Sequence, residues 1–213
     1  MPAPRIKICG VNSAGALDAV IAARAEYCGF VFFERSPRHL ALPEAQRLGA
    51  RAAGHVTKVG LFVDADDATI ANAVAAGALD AVQLHGEESP ERVALVKAQT
   101  GLPVWKAVPI ASTADVERAA RYIGSADLVL FDAKTPKGTL PGGMGLSFDW
   151  SLLAGWKNRV PWGLAGGLSP TNVAEAARLT GAPLVDTSSG VESAPGIKDA
   201  DKIAAFCKAA RCA

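Results

Sequence analysis

Apolar and polar side chains alternate over Arg5-Ile6-Lys7-Ile8-Cys9 and stop at Gly10, with Ile6 and Ile8 on one parity and Lys7 and Cys9 on the other. A period of two with β-branched residues predicts a short strand. Ser13 then caps a helix whose apolar positions Leu17, Val20 and Ile21 recur at three and four residues. Tyr27 to Phe33 is almost continuously apolar, as a parallel strand covered on both faces should be. Pro43 opens the next helix, to about Ala53. Strand 55–63, helix 66–76, strand 81–85, helix 90–100, strand 104–109, helix 113–122 and strand 127–132 follow. A glycine-rich loop from Thr135 to Ser147, a short helix near Trp150, strand 161–165, helix 170–179, strand 184–187 and a helix over about 199–210 complete the pattern.

Eight β-then-α units with short connections, in 213 residues, predict an α/β fold: a single (β/α)₈ TIM barrel domain over residues 1–213. A doubly wound open sheet is the alternative, and it usually carries G-x-G-x-x-G after its first strand. Gly10-Val11-Asn12-Ser13-Ala14-Gly15 lacks the middle glycine, so a dinucleotide fingerprint is not supported. The Thr135 to Ser147 loop, with Gly138, Gly142, Gly143 and Gly145, reads equally as a lid or as a plain connection.

Composition narrows the function classes. Half of the residues are hydrophobic, and 22 basic against 21 acidic side chains leave a net charge of +1, too little to gather nucleic acid or an anionic membrane. The start of the chain has no basic segment leading into an apolar one, and no run is long enough to span a bilayer. A cytoplasmic protein is expected, as a monomer or homodimer, with its four cysteines reduced. The His, Cys and acidic residues lack metal-ligand spacing, so neither metal nor organic cofactor is implied.

Candidate chemistry gathers at strand ends. In a parallel barrel the last inward side chain of a strand faces the active-site mouth, which places the Cys9 thiol for chemistry, although inert packing is the alternative. Asp132 closes strand six after Leu128-Val129-Leu130-Phe131, a position from which a carboxylic acid on an apolar wall can donate a proton. Gly166-Gly167 and Ser188-Ser189-Gly190 end strands seven and eight. In barrels these two turns commonly hold a phosphate on backbone N–H groups. Ser169-Pro170 also reads as the cap and first residue of a helix. Arg38, in Ser36-Pro37-Arg38, offers a planar fork to a carboxylate or is a solvated surface charge; Gln83 and His85 share a parity and line the cavity or serve structure. Lys7, one alternate position before Cys9, either favours a thiolate or reaches solvent.

Lys7-Ile8-Cys9-Gly10, Ser36-Pro37-Arg38, Gln83-Leu84-His85-Gly86, Phe131-Asp132, Gly142-Gly143-Met144-Gly145, Phe148-Asp149-Trp150, Ala165-Gly166-Gly167-Leu168 and Asp186-Thr187-Ser188-Ser189-Gly190-Val191-Glu192 together resemble the phosphoribosylanthranilate isomerase family over the whole chain. The resemblance implies the Amadori rearrangement of N-(5-phosphoribosyl)anthranilate in tryptophan biosynthesis. It also implies Cys9 as general base, Asp132 as general acid and Arg38 as the holder of the anthranilate moiety. Bifunctional isomerases that also serve histidine synthesis use carboxylates where this chain has Cys9. A non-catalytic phosphate-binding barrel would need neither Cys9 nor Asp132.

Overall fold

The structure, a computed structural model, describes residues 2–135, 142–143, 145–156 and 160–213. Eight parallel strands close into a barrel in sequence order: β1 (Arg5–Cys9), β2 (Tyr27–Phe32), β3 (Thr57–Phe62), β4 (Ala81–Leu84), β5 (Val104–Ile110), β6 (Leu128–Ala133), β7 (Trp162–Leu164) and β8 (Leu184–Thr187). The (β/α)₈ expectation therefore holds, and the open sheet is excluded by the β1–β8 pairing. Around it run α1 (Ala14–Ala22), α2 (Leu42–Ala52), α3 (Asp67–Gly77), α4 (Pro90–Thr100), α5 (Thr113–Ala119), α6 (Val173–Thr180) and α7 (Ala200–Arg211).

Strand parity decides what each side chain meets. Outward Ile6, Ile8, Phe30, Phe62, Leu84, Phe131 and Val185 pack with Leu17, Leu48, Ile70, Val93 and Phe206 of the helices in one core between sheet and helix ring. Each such side chain contributes roughly 1.5–3 kcal/mol by leaving water. Inward Val59, Trp105, Leu128, Leu130 and Leu184 fill the lower barrel, with Tyr27 edge-on to Trp105 at 5.0 Å. One alternate position higher, the inward residues of three strands turn polar: Lys7, Gln83 and Asp186, all buried. Above them, Cys9, Val31 and Leu61 form the floor of the mouth.

The helices start where polar caps allow. Ser13, Asp66, Ser89, Ser112 and Asp199 each accept a hydrogen bond from the first turn, so orphan N–H groups are satisfied locally. Two departures from the sequence expectations stand out, at the start of α6 and after β8. The helix expected from Pro170 begins at Val173, because the Asn172 side chain folds back on the turn: it accepts from Ser169 N (2.8 Å) and donates to Gly167 O (2.9 Å). The short helix expected near Trp150 is present as a 3₁₀ turn, Trp150–Gly155, and the helix expected over 113–122 closes in another, Ala120–Tyr122. Beyond β8 lies an unexpected antiparallel hairpin of β9 (Glu192–Ala194) and β10 (Ile197–Lys198). Much of the Thr135 to Ser147 loop, including Gly138 and Met144, lies outside the described residues, and with it the choice between lid and connection.

Candidate active site

Register places the first pair of groups. Lys7 is opposite Asp186 and Cys9 opposite Gly29 across the β1–β8 and β1–β2 ladders, so neighbouring inward side chains touch. Lys7 Nζ donates to Asp186 Oδ2 at 2.9 Å, fully shielded from solvent. Burial works against its charge, but Asp186 and Cys9 beside it outweigh burial and hold the ammonium above the usual lysine range. Sequence left Lys7 between solvent and the thiol; the fold puts it next to the thiol. Burial holds the Cys9 thiol above the ordinary cysteine value; Lys7 and, more weakly, Lys198 oppose it, and Asp186 adds to it. The bare Cα of Gly29 makes room here, since a Cβ on it would lie 2.8 Å from Cys9 Sγ and 3.2 Å from Lys7 Nζ.

The second group lies on β4 and β6. Gln83 Nε2 donates to His85 Nδ1 at 3.0 Å, which puts the ring proton on Nε2, and that atom lies 3.0 Å from Asp132 Oδ2. Asp132 Oδ1 accepts from Ala133 N at 2.8 Å. The wall around Asp132 is therefore not purely apolar: both oxygens are oriented, and Oδ2 shares a hydrogen with a ring whose other nitrogen is held. Gly142 covers this pair, with a Cβ position 2.9 Å from His85 Nε2 and 3.0 Å from Asp132 Oδ2.

One cavity at the C-terminal ends of the strands has Cys9, Arg38, Gln83, His85 and Asp132 on its wall, together with Gly166, Gly167, Ser188 and Ser189. Gly190 is not on that wall. It backs the turn, pressed against the Leu168 carbonyl where no Cβ fits. Gly166 (φ +85°) and Gly167 (φ +63°) occupy left-handed conformations. The N–H groups of Gly166, Gly167 and Ser189 are among the backbone donors at the rim that meet no acceptor on the described residues. Arg38 is buried, not a solvated surface charge. Its Nε and Nη2 form a fork with Glu192 at 2.7 and 2.8 Å, Nη2 also donates to Gly143 O at 3.1 Å, and Nη1 has no acceptor among the described residues.

A model of the N-(5'-phosphoribosyl)anthranilate isomerase family matches residues 6–209. A relative of that name from Paramagnetospirillum magneticum is 55% identical over 207 residues, covering 97% of this chain and 96% of its own. The chain belongs to the phosphoribosylanthranilate isomerase family. Among solved structures, the phosphoribosylanthranilate isomerase of Thermotoga maritima superposes with a TM-score of 0.88 at 36% identity, over 97% of this chain and 98% of that one. Another structure of a phosphoribosylanthranilate isomerase, in complex with reduced 1-(o-carboxyphenylamino)-1-deoxyribulose 5-phosphate, superposes with a TM-score of 0.86 at 34% identity, covering 97% and 98%.

Several residues of this isomerase site carried no role in the sequence reading: Gly29, Asn172, Asp186, Glu192 and Lys198. Asp186 shares the parity of inward Leu184, a signal that was readable. Lys198 and Glu192 depend on a hairpin too short to announce itself.

Proposed function

We propose that Cys9 and Asp132 are the base and acid with which this chain rearranges N-(5'-phosphoribosyl)anthranilate to 1-(2-carboxyphenylamino)-1-deoxyribulose 5-phosphate. The chain is an isomerase of tryptophan biosynthesis. The observation that carries the residue assignment is that Cys9, with the Lys7 ammonium packed beside it at Gly29, and Asp132, bonded to His85, line a single cavity.

Asp132 gives a proton to the furanose ring oxygen. The C1'–O bond breaks, the anilino nitrogen lone pair forms C1'=N, and the ring opens to an iminium. Cys9 as thiolate takes the C2' proton, and those electrons make C1'=C2' while neutralising the nitrogen. The enolamine then gains a proton at C1' and loses the one on its 2'-hydroxyl, giving the aminoketone. The formula is unchanged, so no oxidant or reductant enters. Asp132 regains its proton from the 2'-hydroxyl as the ketone forms, the Cys9 thiol delivers the proton to C1', and His85, hydrogen-bonded to Asp132 Oδ2, orients the carboxyl for both transfers.

Arg38 Nη1 receives the anthranilate carboxylate, and the free N–H groups of Gly166, Gly167 and Ser189 receive the 5'-phosphate. Gln83 Oε1 and Asp186 Oδ1, on residues of the same cavity wall, are buried acceptors without partners among the described residues, which suits a ligand with hydroxyl groups. The reading includes a cytoplasmic location and a monomer or homodimer. Among the described residues no helix is long and apolar enough to cross a membrane. Mixing the protein with N-(5'-phosphoribosyl)anthranilate and following its fluorescence tests the function. Steady loss at catalytic protein concentration supports turnover, and a stoichiometric change that stops contradicts it.

A further inference from the structure

The hairpin after β8 carries two buried charges that the steps above do not use. Glu192 on β9 pairs with Lys198 on β10. The hairpin turn is pinned to the loops after β1 and β2: Asn12 Nδ2 donates to Gly196 O at 3.1 Å, and Gly196 packs so closely that a Cβ would lie 2.5 Å from Pro37 O. The Lys198 side chain is fully shielded. Its Nζ donates to Ser188 O (2.9 Å), Ser188 Oγ (3.2 Å) and Glu192 Oε1 (2.7 Å), which matches its three hydrogens. Glu192 Oε1 also accepts from Arg38 Nε, so one carboxylate ties the lysine to the Arg38 fork. The cluster rests on the residue after Cys9, since a Cβ on Gly10 would lie 2.6 Å from Arg38 Cδ and 3.1 Å from Ser188 Oγ.

The charges around the thiol can be summed by element. Lys7 on the same strand is matched by Asp186 on β8, β2 presents only Gly29 and Val31, and Lys198 on β10 is held at Ser188 Oγ, which lies 3.1 Å from the Cβ position of Gly10, the residue after Cys9. Behind Lys198 stand Glu192 and Arg38. With Lys7 and Asp186 cancelling, the two cations and one anion of the hairpin cluster leave a single positive charge. We infer that Lys198 is a positioning residue for the isomerisation: it fixes the Ser188 turn and, against Glu192, supplies the positive charge that lets Cys9 act as a thiolate. This rests on Cys9 as the base. Burial lowers Lys198 from the ordinary lysine value while Glu192 opposes that, and the same ammonium draws the Cys9 thiol down.

The test is an ultraviolet titration of the Cys9 thiolate in the intact protein, with the same titration in a Cys9→Ser background subtracted to remove Cys28, Cys207 and Cys212. Lys198→Met is expected to cut the Cys9 thiolate present at a fixed alkaline pH by about tenfold, one pKa unit. Lys198→Arg restores it. Glu192→Gln, which keeps the shape of the carboxyl, moves the thiol the opposite way and stands as the test if Lys198→Met does not fold. Unchanged titration, or a shift of the same sign in both variants, overturns the inference and leaves Lys198 a mere counterion to Glu192. Full turnover by the Cys9→Ser enzyme brings down the base assignment itself, a result on which the titration does not depend.

Discussion

Gly29 is the most exacting position in the site, and its replacement by alanine gives a quantitative expectation. The added Cβ would lie 2.8 Å from Cys9 Sγ, 3.0 Å from Cys9 Cα and 3.2 Å from Lys7 Nζ. Ordinary carbon contacts settle near ~3.5–4.0 Å, so the sulfur must retreat by about 1 Å. The backbones cannot part to relieve it without losing the bonds from Gly10 N and Val11 N to Gly29 O, both 2.9 Å. Overpacking of this kind costs about 1–3 kcal/mol of stability. A reacting group displaced by about 1 Å loses about a hundredfold in rate. That is a barrier increase of about 2.7 kcal/mol at 1.36 kcal/mol per decade. Gly29→Ala should therefore fold with a lowered Tm, bind a product analogue within about threefold of the parent, and turn over about a hundred times more slowly, as read from the loss of substrate fluorescence. A kcat within about threefold of the parent would show that the thiol needs no such placement.

Asp132→Asn should abolish turnover with analogue binding retained, because an amide cannot protonate the departing ring oxygen; full kcat in that variant would move the acid elsewhere, first to His85. Gly167→Val should raise KM strongly, since φ is +63° and a Cβ would stand 2.8 Å from Leu146 O, so the turn itself is forced out of place. Ser188→Ala keeps the backbone and should cost only about 1–3 kcal/mol in KM terms; equal KM effects in the two variants would contradict a phosphate held by backbone. Alkaline stability should fall, because burial pushes Cys28 up to about 12 and Cys207 up to about 11. Unfolded thiols release their protons near ~8.5, so between that pH and the folded values the unfolded state holds fewer protons and gains stability. The loss is on the order of a few kcal/mol by pH 11. A urea midpoint that stays level from pH 8.5 to about 11, or falls as steeply in Cys207→Ala, would refute this.

Much of the fold was legible because strand parity and helix caps are local. Ile6 and Ile8 against Lys7 and Cys9 already separate the faces of β1, and Pro90 with Ser89 marks the start of α4. Pro170 misled because its fixed φ suits a first helical turn, whereas the Asn172 side chain spends its hydrogen bonds on the preceding turn. The hairpin escaped notice since strands of three and two residues show no period. At the site, Cys9, Asp132 and the glycine turns announce themselves by position at strand ends. Their partners do not: that Lys7 meets Asp186 follows only once β1 and β8 close the barrel, and that Arg38 is held by Glu192 follows only once the hairpin after β8 packs against the Arg38 loop.

The proposed rearrangement depends on a thiolate at Cys9 taking the C2' proton. The most direct measurement is kcat of Cys9→Ser on N-(5'-phosphoribosyl)anthranilate, with binding of a product analogue measured on the same preparation. An alcohol is far too weak a base near neutrality, so turnover should fall by several orders of magnitude, roughly 4 kcal/mol or more in barrier, with analogue affinity preserved. Retention of kcat within about tenfold, a barrier change of only ~1.4 kcal/mol, would contradict the account.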